Sequence, residues 1–202
     1  ATEDLALVAR MDALAEGSRR LPDARVRWLL DWIRREMCPG LPLDGLAVQG
    51  PPATWLPRRL LIFTEYADTK RYLEQQLRGA LGATDRGDDR LATFHGGMPD
   101  DLREEVKRAF NADPAEHPLR ILIATDAARE GVNLHNHCAD LFHFDLPWNP
   151  SRLEQRNGRI DRKGQKHDVR CHYFIYAQRA ADRVLEVLAE RTRVIDDNRR
   201  AV

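Results

Sequence analysis

Residues 60–77 read LLIFTEYADTKRYLEQQL, and the change of pattern inside this stretch decides the fold. Its first five residues are an apolar run rich in strand formers, which predicts a buried strand. The residues that follow repeat at helical spacing and predict one face of a helix. That face comprises Tyr66, Thr69, Leu73 and Leu77. A strand followed at once by a helix is the repeating unit of a parallel sheet.

The same unit recurs toward the C terminus. Further strands are predicted at residues 91–95, 120–125, 140–145 and 169–176, and further helices at 99–110 and from Ala180 onward. The helix at 99–110 has Pro99 in its first turn, and its predicted inward side chains are Leu102, Val106, Ala109 and Phe110. Strands with continuous apolar runs alternate with helices, so we expect an α/β fold: a doubly wound, mainly parallel sheet with helices on both faces. Ligands bind such sheets at the carboxyl ends of the strands.

The first quarter of the chain has a different character. Residues 23–37 predict an amphipathic helix, and residues 38–57 carry five prolines and several glycines. We therefore expect residues 1–57 to form a helical extension with a Pro/Gly-rich connection, and residues 58–202 to form the main domain.

Composition narrows the class of protein. In 202 residues, 32 Lys+Arg balance 32 Asp+Glu, and 43% of the side chains are hydrophobic, which is typical of a globular protein. No apolar run is long enough to cross a bilayer, and the first ten residues lack the pattern of a signal peptide, so a cytoplasmic protein without a membrane partner is expected. The 3 cysteines are widely spaced and are interpreted as buried thiols.

Residues 150–166, PSRLEQRNGRIDRKGQK, hold six cationic side chains against two acidic ones. Asn149 and Pro150 form a good helix start, with the Asn side chain as cap. Four cations then recur at the spacing of one helical face, and Arg162 lies on the same side. They are Arg152, Arg156, Arg159 and Lys163. A solvated helix face is the ordinary alternative, but the position at the ligand-binding edge and the planar fork of arginine favour phosphate as the target.

Two glycine-containing loops follow neighbouring strands. HGGM, residues 95–98, and TDAAREGVN, residues 125–133, lie at predicted carboxyl ends of strands. Glycine lets a ligand approach the main chain, whereas a plain turn or a solvated loop would need no ligand. Both interpretations remain open for each loop taken alone.

Together these stretches resemble helicase superfamily 2. QRNGRIDR, residues 155–162, resembles its Gln-x-x-Gly-Arg-x-x-Arg element, and ATDAAREGVN, residues 124–133, the element before it. LIFTEYADT (61–69) and FHGGM (94–98) resemble its nucleic-acid-facing elements, in the expected order. FDLPWNPSRLEQRNGRIDRKGQ, residues 144–165, is most similar to Swi/Snf-type ATPases, in particular the bacterial RNA-polymerase-associated branch. The resemblance covers about residues 58 to 176 and implies a RecA-like lobe.

Two motifs of that superfamily do not occur in the sequence. There is no Gly-x-x-x-x-Gly-Lys-Ser/Thr phosphate loop and no Asp-Glu-x-His or Asp-Glu-Ala-Asp motif to hold magnesium. In the superfamily both belong to the first of two RecA-like lobes, so this chain resembles the C-terminal lobe. The resemblance implies that ATP and Mg²⁺ are bound mainly by the N-terminal lobe, and that the isolated chain is inactive.

The resemblance also implies roles for individual residues. Arg159 and Arg162 are the implied arginine fingers, and Gln155 orders the cleft between the lobes. The implied nucleotide-binding residues are Gly131, Asn133 and Gly158, although the superfamily often has Asp in place of Asn133. The implied contacts with nucleic acid are Thr64, His95, Gly96, Gly97, Thr125 and Arg156.

The function implied is that of the C-terminal motor lobe of an ATP-dependent translocase or helicase acting on nucleic acid, with double-stranded DNA as the expected substrate. Its partner is the N-terminal lobe of the same protein, and RNA polymerase or defence-system proteins are compatible further partners. A non-catalytic binding module is the alternative. A third candidate is a metal site formed by His135, His137, Cys138 and His143. Their spacing is not that of a zinc site. We therefore expect that these residues bind no metal and that the histidines lie on the surface.

Overall fold

In the part of the chain that the structure describes, five parallel strands form one sheet in the order β2-β3-β1-β4-β5. This computed structural model describes residues 2–18, 22–42, 51–126, 132–175 and 187. The strands are β1 (Arg59–Thr64), β2 (Leu91–Phe94), β3 (Ile121–Thr125), β4 (Cys138–His143) and β5 (Arg170–Tyr173). The helices are α1 (Thr2–Ser18), α2 (Ala24–Glu36), α3 (Ala67–Leu81), α4 (Asp100–Asn111) and α5 (Pro150–Asn157), with a 3-10 turn at Gly87–Arg90. The predicted α/β class with a parallel sheet is confirmed.

The central strand β1 divides the interior into two cores, because successive side chains of a strand point to opposite faces. Leu60 and Ile62 pack in the core that contains the buried residues of α2 and α3. Leu61 and Phe63 pack in the opposite core, with Phe110 of α4. All six residues of β1 are buried, which explains why its residues 60–63 are a continuous apolar run rather than an alternating one.

Two helical faces differ from their predicted composition. In α3 the buried residues are Leu73, Leu77 and Leu81. Tyr66 precedes the first helical residue as the N-cap and is exposed, so it does not belong to that face. In α4, Phe110 is buried as predicted, but Leu102 is 42% exposed. The buried face of α4 instead includes Arg103, which lies one position further around the helix.

Helix α2 is packed against the sheet. Its Trp32 ring lies 5.1 Å from that of Phe142 in β4, and the side chain of Asp23 caps the helix by accepting the N–H of Val26 at 2.9 Å. The hydroxyl of Tyr72 in α3 accepts the N–H of Asp23 at 2.8 Å. Helix α2 therefore shares a core with β4 and α3, while the domain boundary near residue 57 stays a prediction.

Three further predictions concern the helix from Ala180, the cysteines and the absence of a membrane span. The helix predicted from Ala180 lies outside the described residues, apart from Val187. Cys38 and Cys138 are buried thiols, but Cys171 is exposed at the edge strand β5, where the interpretation as a buried thiol is wrong. Among the helices described here, none combines the length and the apolar character needed to span a bilayer.

Candidate functional site

Helix α5 begins where the sequence predicts and ends earlier. The side chain of Asn149 accepts the N–H of Ser151 at 3.0 Å, and Pro150 occupies the first turn. The helix ends at Asn157 with Gly158 as C-cap, where a Cβ atom would lie only 3.3 Å from the carbonyl oxygen of Glu154. The prediction of one continuous cationic helix face is therefore wrong. Only two of its arginines lie on α5, and the others follow in turns.

Arg156, on α5, is buried in a network of ionic hydrogen bonds. Its guanidinium is 2% exposed and donates from Nε and Nη2 to the two carboxylate oxygens of Asp126, at 2.6 and 2.7 Å. Nη1 donates to the carbonyl of Asp145 at 2.7 Å, and the guanidinium carbon lies 5.5 Å from the centre of the Phe63 ring. A bidentate pair of this kind fixes the helix over the end of β3.

The carboxylate of Asp145 extends the network to β1. It accepts hydrogen bonds from the N–H of Glu65, at 2.8 Å, and from the hydroxyl of Thr64. Its Oδ1 also lies 3.4 Å from Nη2 of Arg156. We call Thr64, Asp126, Asp145 and Arg156 the carboxyl-edge network, because they join the carboxyl ends of β1, β3 and β4. Asp145 is not among the predicted site residues, although an acid at the end of a buried apolar run is a signal in the sequence.

Three side chains predicted to meet nucleic acid are thus turned inward. Thr64 and Thr125 are buried at the ends of β1 and β3, and Arg156 is buried and paired. Thr64 and Arg156 are already hydrogen-bonded, and such buried side chains cannot meet a phosphate backbone without rearrangement. Contacts of these three residues with nucleic acid stay a prediction.

His143, the last residue of β4, lies beneath α5. Its Nε2 is 2.9 Å from Oδ1 of Asn157, so the ring donates to the last residue of the helix. Burial, with a smaller contribution from the nearby Arg156, lowers the pKa of His143 from 6.5 to about 3. The ring is neutral at physiological pH. The interpretation of His143 as a surface histidine is wrong, because β4 lies inside the sheet.

Residues 158–165 form a strip along the flank of the sheet, in which Arg162, Lys163 and Gly164 are exposed and Ile160 is buried. The N–H of Leu134 donates to the carbonyl of Arg159 at 3.0 Å, and Nε2 of Gln165 donates to the carbonyl of Cys138 at 2.9 Å. Since Cys138 is the first residue of β4, this flank strip runs from the carboxyl end of β4 toward its amino end. Gln165, at the end of the strip, thus lies at the amino end of β4, whereas Asn157, just before the strip, contacts its carboxyl end.

Arg162 lies in the flank strip and is exposed. Its Nη1 donates to Oδ1 of Asn133, which is also exposed. The structure thus brings together one of the two implied arginine fingers and one of the implied nucleotide-binding residues. Arg159 is half-buried and Gln155 is exposed on α5. Gly131 lies outside the described residues.

The glycine loop after β2 is open to solvent. Gly96 and Gly97 are exposed and His95 is half-buried, with its N–H directed at Sδ of Met98 at 3.4 Å. Burial, and then the charge of Lys70, lowers the pKa of His95 below its ordinary value. A nucleic-acid contact here stays a prediction.

An aromatic side chain that the sequence analysis did not single out is exposed near the carboxyl edge. Trp148 lies between β4 and α5 and is 61% exposed. Four residues further along the chain, Nη1 of Arg152 donates to Oε1 of Glu65 at 2.8 Å and links α5 to the loop after β1. An exposed tryptophan offers a flat apolar surface to a ligand. Within the described residues, no group of three or more His, Cys, Asp or Glu side chains could hold a metal ion.

Comparisons with known proteins agree on the family. The helicase conserved C-terminal domain matches residues 56–164, more than half of the chain. The chain is 33% identical over 138 residues to the protein named uncharacterized ATP-dependent helicase YqhH of Bacillus subtilis (strain 168), covering 68% of this chain and 22% of that protein. It is 33% identical over 163 residues to the RNA polymerase-associated protein RapA of Vibrio vulnificus (strain YJ016), covering 81% of this chain and 14% of RapA.

Solved structures with lower identity show the same fold. The C-terminal part of the Fun30 ATPase domain superposes with a TM-score of 0.51 at 22% identity, over 65% of this chain and 39% of that one. Domain 2 of the DEAD-box helicase Mss116p, solved with an RNA duplex, also gives a TM-score of 0.51, at 18% identity, over 75% of this chain and 48% of that one. The predicted resemblance to Swi/Snf-type members of helicase superfamily 2 is confirmed, and so is the RecA-like fold. This chain belongs to the helicase conserved C-terminal domain family.

Proposed function

We propose that this chain is the C-terminal motor lobe of an ATP-dependent translocase or helicase, and that Arg162 is directed at the γ-phosphate of ATP bound between two lobes. The observation that carries the proposal is the exposed Arg162 guanidinium beside Asn133 on the flank strip. It lies outside the carboxyl-edge network, so its charge is not committed to a carboxylate there.

The chemistry of this pair suits a phosphate ligand. A guanidinium keeps its charge at any working pH and presents a fork that matches phosphate oxygens. Its present acceptor is a neutral amide, which binds a guanidinium less strongly than an anion does, so a phosphate can displace it. An arginine finger typically raises the rate of phosphoryl transfer by roughly 10³ to 10⁵. Arg159, half-buried in the same strip, is proposed as the second finger.

Magnesium is assigned to the N-terminal lobe in this proposal. The described residues of this chain offer exposed arginine and amide groups for phosphate and ribose, but no cluster of acids that suits a divalent cation. When bound, Mg²⁺ neutralises charge on the phosphates. The isolated chain is therefore expected to hydrolyse ATP no faster than a buffer blank.

Nucleic acid is proposed to bind near the carboxyl ends of the strands. The exposed loop of His95, Gly96 and Gly97 offers main-chain groups to phosphates without reading sequence. Trp148 adds an exposed flat apolar surface near the same edge. Closing and opening of the two lobes then moves the protein along double-stranded DNA. RNA polymerase is a candidate partner because one relative bears the name RNA polymerase-associated protein, and defence-system proteins stay a further possibility.

The decisive experiment measures DNA-stimulated ATP turnover of the full-length protein with Arg162→Ala. We expect turnover to fall by about 10³ or more, with ATP binding and the melting temperature unchanged. Lys163→Ala, the neighbouring exposed cation, is the matched control and should stay within about twofold of the wild type. Wild-type turnover in Arg162→Ala would sink the proposal. No ATP hydrolysis by the full-length wild type would favour the non-catalytic binding module.

A further inference from the structure

Asn111, the last residue of α4, clamps the loop that precedes β4. Its Nδ2 donates to the carbonyl of Asn133 at 2.8 Å and to the carbonyl of Lys107 at 3.1 Å. Its Oδ1 accepts the N–H of Asn136 at 3.4 Å. One amide thus bonds to the loop at two points and to its own helix at a third.

The same loop carries the acceptor of the arginine. The main-chain carbonyl of Asn133 accepts a hydrogen bond from Asn111, and its side-chain oxygen accepts one from Arg162. On the other side of the loop, the N–H of Leu134 bonds to the carbonyl of Arg159. Hydrogen bonds therefore tie the loop to the end of α4 on one side and to the flank strip on the other, and both sets of bonds fix the position of Asn133.

We infer that Asn111 is a positioning residue for Arg162, acting through Asn133; this inference rests on the proposed function. A long, exposed arginine side chain has many rotamers, and fixing one of them before the reaction removes an entropic cost from the transition state. Asn111 itself does not reach the guanidinium. It fixes the backbone that presents the amide oxygen to Arg162.

The residue type matters for this role. The clamp needs a donor for two carbonyls and an acceptor for one N–H, and a carboxamide supplies both. Asn111→Asp keeps the shape and the acceptor but loses the donors. Asn111→Ala loses both. Asn136→Ala is the matched control, because it removes only a long bond, at 3.5 Å, from the side chain of Asn136 to the carbonyl of Asn111. It leaves the bond between the Asn111 side chain and the carbonyl of Asn133 in place.

The first arm of the test reads the arginine itself, without activity. In the full-length protein, phenylglyoxal modification of Arg162 is followed by mass spectrometry. We expect the rate to rise by about threefold to tenfold in Asn111→Ala and Asn111→Asp, the factor for one net hydrogen bond, and to stay at the wild-type value in Asn136→Ala. An unchanged rate at Arg162 in both Asn111 variants overturns the inference, and Asn111→Asp preserves the test if Asn111→Ala does not fold.

The second arm separates positioning from general stability. Asn111→Ala should lower kcat for ATP by about tenfold to 100-fold with KM unchanged, and should have no further effect in an Arg162→Ala background. An equal loss in both backgrounds would assign Asn111 a merely structural role. If Arg162→Ala alone keeps wild-type turnover, the proposed function fails, while the modification rates still decide whether Asn111 orders Arg162.

Discussion

Arg156 and Arg162 belong to one short basic stretch, yet the fold gives them opposite surroundings. Arg156 is buried and bonded to the carboxylates of Asp126 and Asp145. Arg162 is exposed and bonded to the neutral side chain of Asn133. The difference arises where α5 ends with Gly158 as C-cap, because Arg156 lies on the helix and Arg162 lies in the turns that follow. Sequence spacing predicts both arginines on one helix face. Because α5 ends between them, Arg156 is buried in the carboxyl-edge network, whereas Arg162 is exposed and accessible to a ligand.

The carboxyl-edge network has two carboxylates for one guanidinium. The second negative charge is stabilised by two further donors, the hydroxyl of Thr64 and the N–H of Glu65, which both bond to Asp145. Such an arrangement holds three strand ends together but is costly to break, because each remaining partner stays partly buried without its counter-charge.

The largest effect on stability is expected for Arg156→Ala. Removing the guanidinium leaves Asp126 and Asp145 uncompensated, so the free energy of unfolding should fall by about 3 kcal/mol, measured by urea denaturation. Arg152→Ala is the control, since Arg152 is exposed on the same helix with one ion pair to Glu65, and it should cost less than about 1 kcal/mol. Equal losses in the two variants would remove the distinction between a buried and an exposed arginine on α5.

An intermediate effect is expected from pH, through His143. Its folded-state pKa of about 3 lies below the ordinary 6.5, so the neutral ring contributes stability above pH 6.5 that is lost as pH falls toward 3. Between about pH 7 and about pH 5 this loss is about 2 kcal/mol. The measurement is the free energy of unfolding at both pH values.

His143→Gln is the matched variant for that measurement, because a glutamine amide can donate to Asn157 without titrating. The pH-dependent loss should shrink by about the same 2 kcal/mol in this variant. The same loss in wild type and variant would show that other groups, such as the half-buried His95 and His117 with their lowered pKa values, carry the pH dependence.

The smallest effect is expected for Thr64→Val, which keeps the shape of the side chain and removes one hydrogen bond to Asp145. The free energy of unfolding should fall by about 1 kcal/mol, while DNA binding by the full-length protein stays at the wild-type level. Unchanged stability together with weaker DNA binding would show that Thr64 contacts nucleic acid, as its position in the sequence predicts.

The sequence predicted more of the scaffold than of the site. The strand runs and the helix start at Asn149 follow from local chemistry, and the structure has them where they were predicted. The pairing of Arg156 with Asp126 depends on the strand order β3-β1-β4, which no local pattern reveals. A glycine at position 158 is a signal for a helix end, but the resemblance implies only a nucleotide-binding role for Gly158, whereas the structure has it as the C-cap.

Arg162→Lys in the full-length protein tests the assignment of Arg162 as an arginine finger, with ATP turnover and the free energy of unfolding measured together. Lysine keeps the charge but lacks the planar fork. Turnover should fall by at least about 100-fold while the free energy of unfolding stays within about 0.5 kcal/mol of the wild type. Undiminished turnover, or a loss of stability as large as that of Arg156→Ala, would contradict that assignment.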